Sequence, residues 1–243
     1  MSGVNVVLGP DYDDLRDRAA LVARLHAEGQ PHHVAGMARD SDGSWIARVS
    51  ERPEPVETTV DLAAGVKPTS GPALSDWIWR ERGWTLVEFA PYARRARARM
   101  LGPWDRRLLE RFASYLRCDP WELDLVVEWT VDDKGVAEPT VLHVNRFPAI
   151  ADPEKRRETW MLCVSELLPP PDATWWVEAD SQEQTMTWRR AEDPLGAVLP
   201  YPWEVEPSLR AIPFAVGVDG STLNLGLIES NMLLGGTPGS GKS

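Results

Sequence analysis

Cysteine is nearly missing from this chain of 243 residues: Cys118 and Cys163 stand alone, and no CxxC spacing joins them. Neither a disulfide framework nor a cysteine zinc site is expected, and a cytoplasmic chain fits that usage. No run approaches the roughly 18 consecutive apolar residues of a membrane-spanning helix. Met1 to Pro10 lacks the basic stretch followed by an apolar block that marks a secretory signal. Any membrane association is therefore expected to come through partners. Lysine is scarce, with only Lys67, Lys134, Lys155 and Lys242 among 26 basic residues. Those 26 face 37 acidic residues, for a net charge of −11. So acidic a chain is not a general polyanion binder, although a local basic stripe is compatible with it.

What is present is enough for a folded core. Apolar residues make up 43% of the sequence, which excludes a disordered tail or a fibrous class. Tryptophan is abundant, at 12 residues against 4 each of Phe and Tyr. Core and interface packing is the plainer account of that excess, and a set of base-stacking platforms is the sharper one.

The patterning alternates between helix and strand. Val4–Leu8 reads as a strand, followed by the breaker Gly9-Pro10-Asp11 and a helix to about Glu28 with Leu15, Ala19, Val22 and Leu25 on one face. A strand is expected from Ser44 to Val49. The polar, proline-bearing stretch 50–72 reads as a boundary, with at most one strand near Thr58–Leu62. Beyond it, helices are expected over Ala73–Glu81, from Gly102-Pro103 to Arg117, and over Pro153–Leu168. Strands are expected over Thr85–Phe89, Leu123–Val131, Thr140–Phe147, Thr174–Glu178 and Thr185–Arg189. AEDPLGAVLPYPW, from Ala191, reads as a linker. After it, Phe214, Val216 and Val218, then Leu223, Leu225 and Leu227, alternate around Asp219-Gly220, a hairpin signal. Met232–Leu234 is a short apolar strand that runs into glycines. The expected fold class is α/β: an α+β N-terminal region followed by the start of a P-loop NTPase motor domain. The expected divisions are 1–70, 71–190, a linker over 191–205, and 206–243.

The chemistry lies in the last eight residues. Gly236-Thr237-Pro238-Gly239-Ser240-Gly241-Lys242-Ser243 fits G-x-x-x-x-G-K-[ST], the phosphate-binding P-loop or Walker A motif. Glycines let the backbone close into a nest of N–H groups aimed at phosphate oxygens. Lysine adds charge near the β- and γ-phosphates, and the serine hydroxyl is a Mg²⁺ ligand. The expected cofactors are therefore ATP and Mg²⁺, with Ser243 the metal-contacting residue through the nucleotide. The sequence stops where the P-loop helix should start and shows no Walker B strand. It reads as the front of a longer ATPase that needs further residues to hydrolyse ATP.

The segment IPFAVGVDGSTLNLGLIESNMLLGGTPGSGKS, Ile212 to Ser243, resembles the approach to the motor of FtsK/SpoIIIE-type DNA translocases. Ile212-Pro213 with Val218-Asp219-Gly220 matches their hairpin. The wording of the loop, with Asp193-Pro194-Leu195 upstream, is most similar to the plasmid-transfer (Tra-like) branch. The likeness is close over about the last fifty residues, faint over Arg106–Arg190, and not seen before that. It implies ATP-driven movement of double-stranded DNA, in plasmid transfer or chromosome segregation, by a ring of subunits, a hexamer. Type VII secretion ATPases share this P-loop style, so a protein-exporting motor is the near alternative. A non-catalytic assembly module over residues 1–190 is the distant one.

Other candidates point to structure. Arg94, Arg95, Arg97, Arg99, Arg106, Arg107, Arg111 and Arg117 form the one basic cluster, opposed by Asp105 and Glu110. It suits either DNA phosphates or a solvated face paired with acidic neighbours, or a subunit contact; little contribution to DNA affinity is expected. Asp40-Ser41-Asp42-Gly43 lacks the remaining ligands of a calcium loop and reads as a turn. Asp132-Asp133 is expected at a loop tip. His26, His32, His33 and His143 lack partners at metal spacing. No catalytic residue is expected within the chain.

Overall fold

The structure is a computed structural model that describes residues 3–170, 173–180, 182–191, 212–216 and 222–225. It divides into two compact units, Met1–Ala191 and Glu192–Ser243. The first is mixed α/β, with three antiparallel sheets and four helices.

The first sheet joins β1 (Val4–Leu8), β3 (Trp45–Ser50) and β2 (His33–Arg39) in the order β1-β3-β2. Helix α1 (Asp14–Ala27) packs on it. The helix starts where Asp13 accepts a hydrogen bond from the Leu15 amide (3.0 Å), the capping expected of an aspartate there. Leu21 and Leu25 bury against Leu8, Met37, Ala47 and Val49, while Val22 on the adjoining face packs with Trp129 and Ala137 of the third sheet. One helix thus seals two cores.

The second sheet has the order β4-β6-β5: β4 (Glu57–Asp61), β6 (Arg95–Arg99) and β5 (Thr85–Ala90). Its pairing crosses the proline-bearing stretch 50–72, since β4 bonds to β6 along its whole length, from Glu57↔Arg99 to Asp61↔Arg95. Helix α2 (Gly71–Arg82) covers it, burying Ile78 against Leu62, Leu86, Ala96 and Ala98. Gly83 ends α2 in the left-handed region (φ 65°), where glycine is favoured.

The third sheet, β7-β8-β10-β9, is the largest: β7 (Asp124–Val131), β8 (Ala137–Arg146), β10 (Thr185–Ala191) and β9 (Thr174–Asp180). Helices α3 (Pro103–Leu116) and α4 (Pro153–Leu167) lie against it. Leu108, Leu109, Phe112 and Leu116 recur at the 3.6-residue period and are buried with Trp160 and Trp188. Four tryptophans, Trp129, Trp160, Trp175 and Trp188, are core residues, as the packing account of the tryptophan excess requires.

Two strands are described in the second unit. β11 (Ile212–Val216) pairs antiparallel with β12 (Thr222–Leu225), with a register shift between Pro213 and Ala215. Among the described residues, no helix is long and apolar enough to cross a membrane.

Candidate functional site

The P-loop residues Gly236, Thr237, Pro238, Gly239, Ser240, Gly241, Lys242 and Ser243 lie outside the described residues, as do the Met232–Leu234 run, Asp219-Gly220 and the linker over 192–205. What is described ahead of them is the β11–β12 hairpin. The minor candidates have definite places. Asp132 accepts from the amides of Lys134 (2.9 Å) and Val136 (2.8 Å), closing the β7–β8 turn. Asp42 accepts from the Ser44 amide (2.8 Å) in the β2–β3 turn. His26 meets His32 edge-on (centroids 5.2 Å apart), His32 lies at a tilt to His33 (4.7 Å), and His143 bonds to Glu128 at 2.6 Å. Among the described residues, no group of His, Cys, Asp and Glu is placed to hold a metal ion. The Cys118 and Cys163 thiols are free and pushed up to about 12, chiefly by burial, so neither is a nucleophile at neutral pH.

The arginines of the basic cluster do not act together: those of β6 are ion-paired, while Arg106 and Arg107 line a groove. In β6, Ala96 and Ala98 point into the core while Arg97 and Arg99 emerge on the opposite face, the period-2 geometry of a strand. That face meets carboxylates from three other strands. Arg97 bonds Glu88 of β5 (2.6 Å), Glu57 of β4 (2.9 Å) and Asp124 of β7 (3.3 Å). Arg99, 2% exposed, bonds Asp124 (2.8 Å), Glu57 (2.8 Å from Nε) and the Leu125 carbonyl (3.0 Å). Arg146 of β8 adds a pair to Glu88 (3.2 Å). Three guanidiniums and three carboxylates therefore tie the second sheet to the third. Burial alone would raise the carboxyls, but Arg99, Arg97 and Arg146 hold Asp124 below its ordinary range, and Arg97 with Arg146 does the same for Glu88. These arginines are already occupied, which removes them as phosphate ligands.

A second buried network joins α1 to α3. Arg18, 2% exposed, forms a two-pronged pair with Asp14 (2.7 and 2.8 Å) and reaches Asp105 (2.7 Å). The Tyr12 hydroxyl (2.8 Å) and the Trp104 amide (2.8 Å) also donate to Asp14. Burial pushes the Asp14 carboxyl up, but Arg18 outweighs it and holds the group below the ordinary carboxylate range. Asp105 is raised, since burial and the Asp14 charge outweigh its share of Arg18. This is a structural clamp at the start of α3.

Five further arginines converge on a groove of about 780 Å³ bounded by β2, β3, the end of α2 and the start of α3. Arg39, Arg80, Arg82, Arg106 and Arg107 line it, together with Trp45, Trp79 and Trp84. Its single carboxylate, Glu110, pairs with Arg106 at 2.8 Å. Among the described residues, no carboxylate lies within ion-pair reach (4.0 Å) of Arg39, Arg80, Arg82 or Arg107. Two guanidiniums lie over indoles, Arg106 at 3.6 Å from the Trp79 centroid and Arg39 at 4.9 Å from that of Trp45. Proximity in sequence groups Arg106 and Arg107 with the arginines of β6, whereas the fold groups them with Arg39, Arg80 and Arg82. Those three come from other elements and carry no local signal.

Comparison of the chain with protein-family models, with curated proteins and with solved structures finds no match.

Proposed function

We propose that this chain is an ATP-binding portion of an FtsK/SpoIIIE-like translocase acting on double-stranded DNA, assembled as a ring. The observation that carries the reading is the order of signals near the C-terminal end of the sequence: hairpin, apolar run, then Gly236 to Ser243. The donor set suits Mg·ATP. Gly239, Ser240 and Gly241 offer backbone amides without bulky side chains, Lys242 an ammonium, and Ser243 a hydroxyl oxygen, the hard ligand that Mg²⁺ prefers. In this reading the loop amides and Lys242 grip the phosphates, and Ser243 orients the metal. Bound Mg·ATP would supply the hydrolysable phosphoanhydride that drives movement.

Titration of the protein expressed from its natural gene with a fluorescent ATP analogue tests the nucleotide site. Wild type should bind in a Mg²⁺-dependent way, Lys242→Ala should bind at least tenfold more weakly, and Ser243→Ala should lose the Mg²⁺ dependence. Indistinguishable titrations would remove the ATP reading. Stimulation of ATP turnover by linear duplex DNA separates a DNA motor from a protein-exporting one.

A further inference from the structure

We infer that the groove between β2, β3, α2 and α3 binds single-stranded nucleic acid, taking a base against its indoles and the flanking phosphates on its arginines. The inference stands apart from the P-loop and from the ion-paired arginines of β6. Charge is the first argument. The chain carries a net −11, yet this groove gathers five arginines against one glutamate. Arg39, Arg80, Arg82 and Arg107, with no carboxylate in reach among the described residues, are placed as anion receptors.

Preorganisation is the second argument. A guanidinium held over an indole by cation–π attraction loses less side-chain freedom when an anion arrives. Arg106 on Trp79 and Arg39 on Trp45 are both held this way. Trp79 remains 38% exposed, so its indole still offers surface to a ligand.

The apolar floor is the third argument. Met37, Met100, Leu101 and Pro103 line the groove along with the arginines, so it suits a ligand with a planar apolar part beside its negative charge. Inorganic phosphate leaves that floor uncovered. A duplex keeps its bases stacked inside and presents only its backbone. An unpaired strand presents both parts, and base-on-aromatic stacking beside basic side chains is the general mode of such binding. The groove volume, about 780 Å³, falls within the range of small-molecule sites, so there is room for a base.

The test is fluorescence anisotropy of a fluorescein-labelled oligothymidylate titrated with the full chain carrying Lys242→Ala, so that the P-loop does not contribute. Trp79→Ala should weaken binding by roughly fivefold to a hundredfold, and Trp79→Phe, which keeps a ring, should restore most of it. The pair Arg39→Ala and Arg107→Ala, both exposed, should flatten the dependence of log affinity on log salt by about 0.7 for each phosphate no longer neutralised. Arg95→Ala, at an arginine paired with Glu88, should change nothing. Absence of binding, or binding indifferent to both sets of groove substitutions, would overturn the inference. So would equal competition by duplex DNA, by an oligoglutamate peptide or by thymidine monophosphate, since each would show that a strand is not what the groove reads.

Discussion

Arg99, like Arg18, is an arginine buried in a network of ion pairs. Its side chain is 3% exposed and holds Glu57, Asp124 and the Leu125 carbonyl at once. Arg99→Ala deletes a buried cation and leaves Asp124, 4% exposed, beside Glu57 with less positive charge to balance them. Breaking a buried ion pair by removing one partner costs about 3–5 kcal/mol. Arg97 still lies 2.9 Å from Glu57 and 3.3 Å from Asp124, so the lower end, about 3 kcal/mol, is expected. Urea unfolding followed by tryptophan fluorescence measures it, because Trp160 and Trp188 are buried in the core that Arg99 helps to close. Arg95→Ala is the internal control. Its side chain is 61% exposed and its pair to Glu88 is long (3.4 Å), so under about 0.5 kcal/mol is expected. Asp124→Asn should cost less in the Arg99→Ala background than alone, since the carboxylate has already lost its main partner. A loss below about 1 kcal/mol for Arg99→Ala, or additive effects in the cycle, would refute the reasoning.

The same ion pairs and one close backbone approach set two further outcomes. Asp124 and Glu88 have folded pKa values held down by arginines, so the stability they contribute is complete above the ordinary carboxylate range and is lost as pH falls below it. Asp105 is raised and runs the other way, its contribution being complete in acid and lost as pH rises through its raised value. Asp124→Asn should therefore flatten the acid limb of a stability–pH curve and Asp105→Asn should steepen it, and unchanged limbs would contradict both assignments. Gly36→Ala, in the middle of β2, should cost about 1–3 kcal/mol because a Cβ there would sit 2.7 Å from the Met100 carbonyl oxygen. Gly9→Ala, with nothing within 4 Å, should be nearly neutral in the same thermal-shift assay.

The parts of the fold legible in the sequence are those where one period dominates. The helix over 103–116 has its apolar residues on one stripe, and β1, β5 and β7 are short segments rich in apolar and β-branched residues. β2 is not legible. HVAGMAR does not alternate and has Val34 as its one β-branched residue, and its register shifts between Val34 and Gly36, where the chain passes against Met100. The glycine that permits this close approach also erases the strand signal. β6 is visible as a pattern but reads as chemistry: RARAR alternates strictly, yet its core-facing residues are alanines and its other face is cationic. The acids that neutralise Arg97 and Arg99 lie at 57, 88 and 124, far away in sequence.

That separation explains why a charge count along the chain misplaces the binding surface. A run of arginines at 94–99 draws attention because it is contiguous, but contiguity in a strand delivers alternate side chains to opposite faces of one sheet. There the neighbouring strands β4 and β5 supply the matching carboxylates. The groove obeys the opposite rule. Its arginines arrive from three elements, the end of β2, the last turn of α2 and the first turns of α3, and among the described residues Glu110 is the one carboxylate that lines it. An arginine free to bind is thus one that the topology isolates from acids, and isolation is a property of three dimensions. Trp79 follows the same logic, since it borders Ile78, a core residue of α2, yet faces the groove rather than the core. Over its last turn, before the cap at Gly83, the helix passes from packing against β5 to presenting Trp79, Arg80 and Arg82. Of the twelve tryptophans in the sequence, burial places Trp129, Trp160, Trp175 and Trp188 in the core, whereas Trp45, Trp79 and Trp84 line the groove among its arginines.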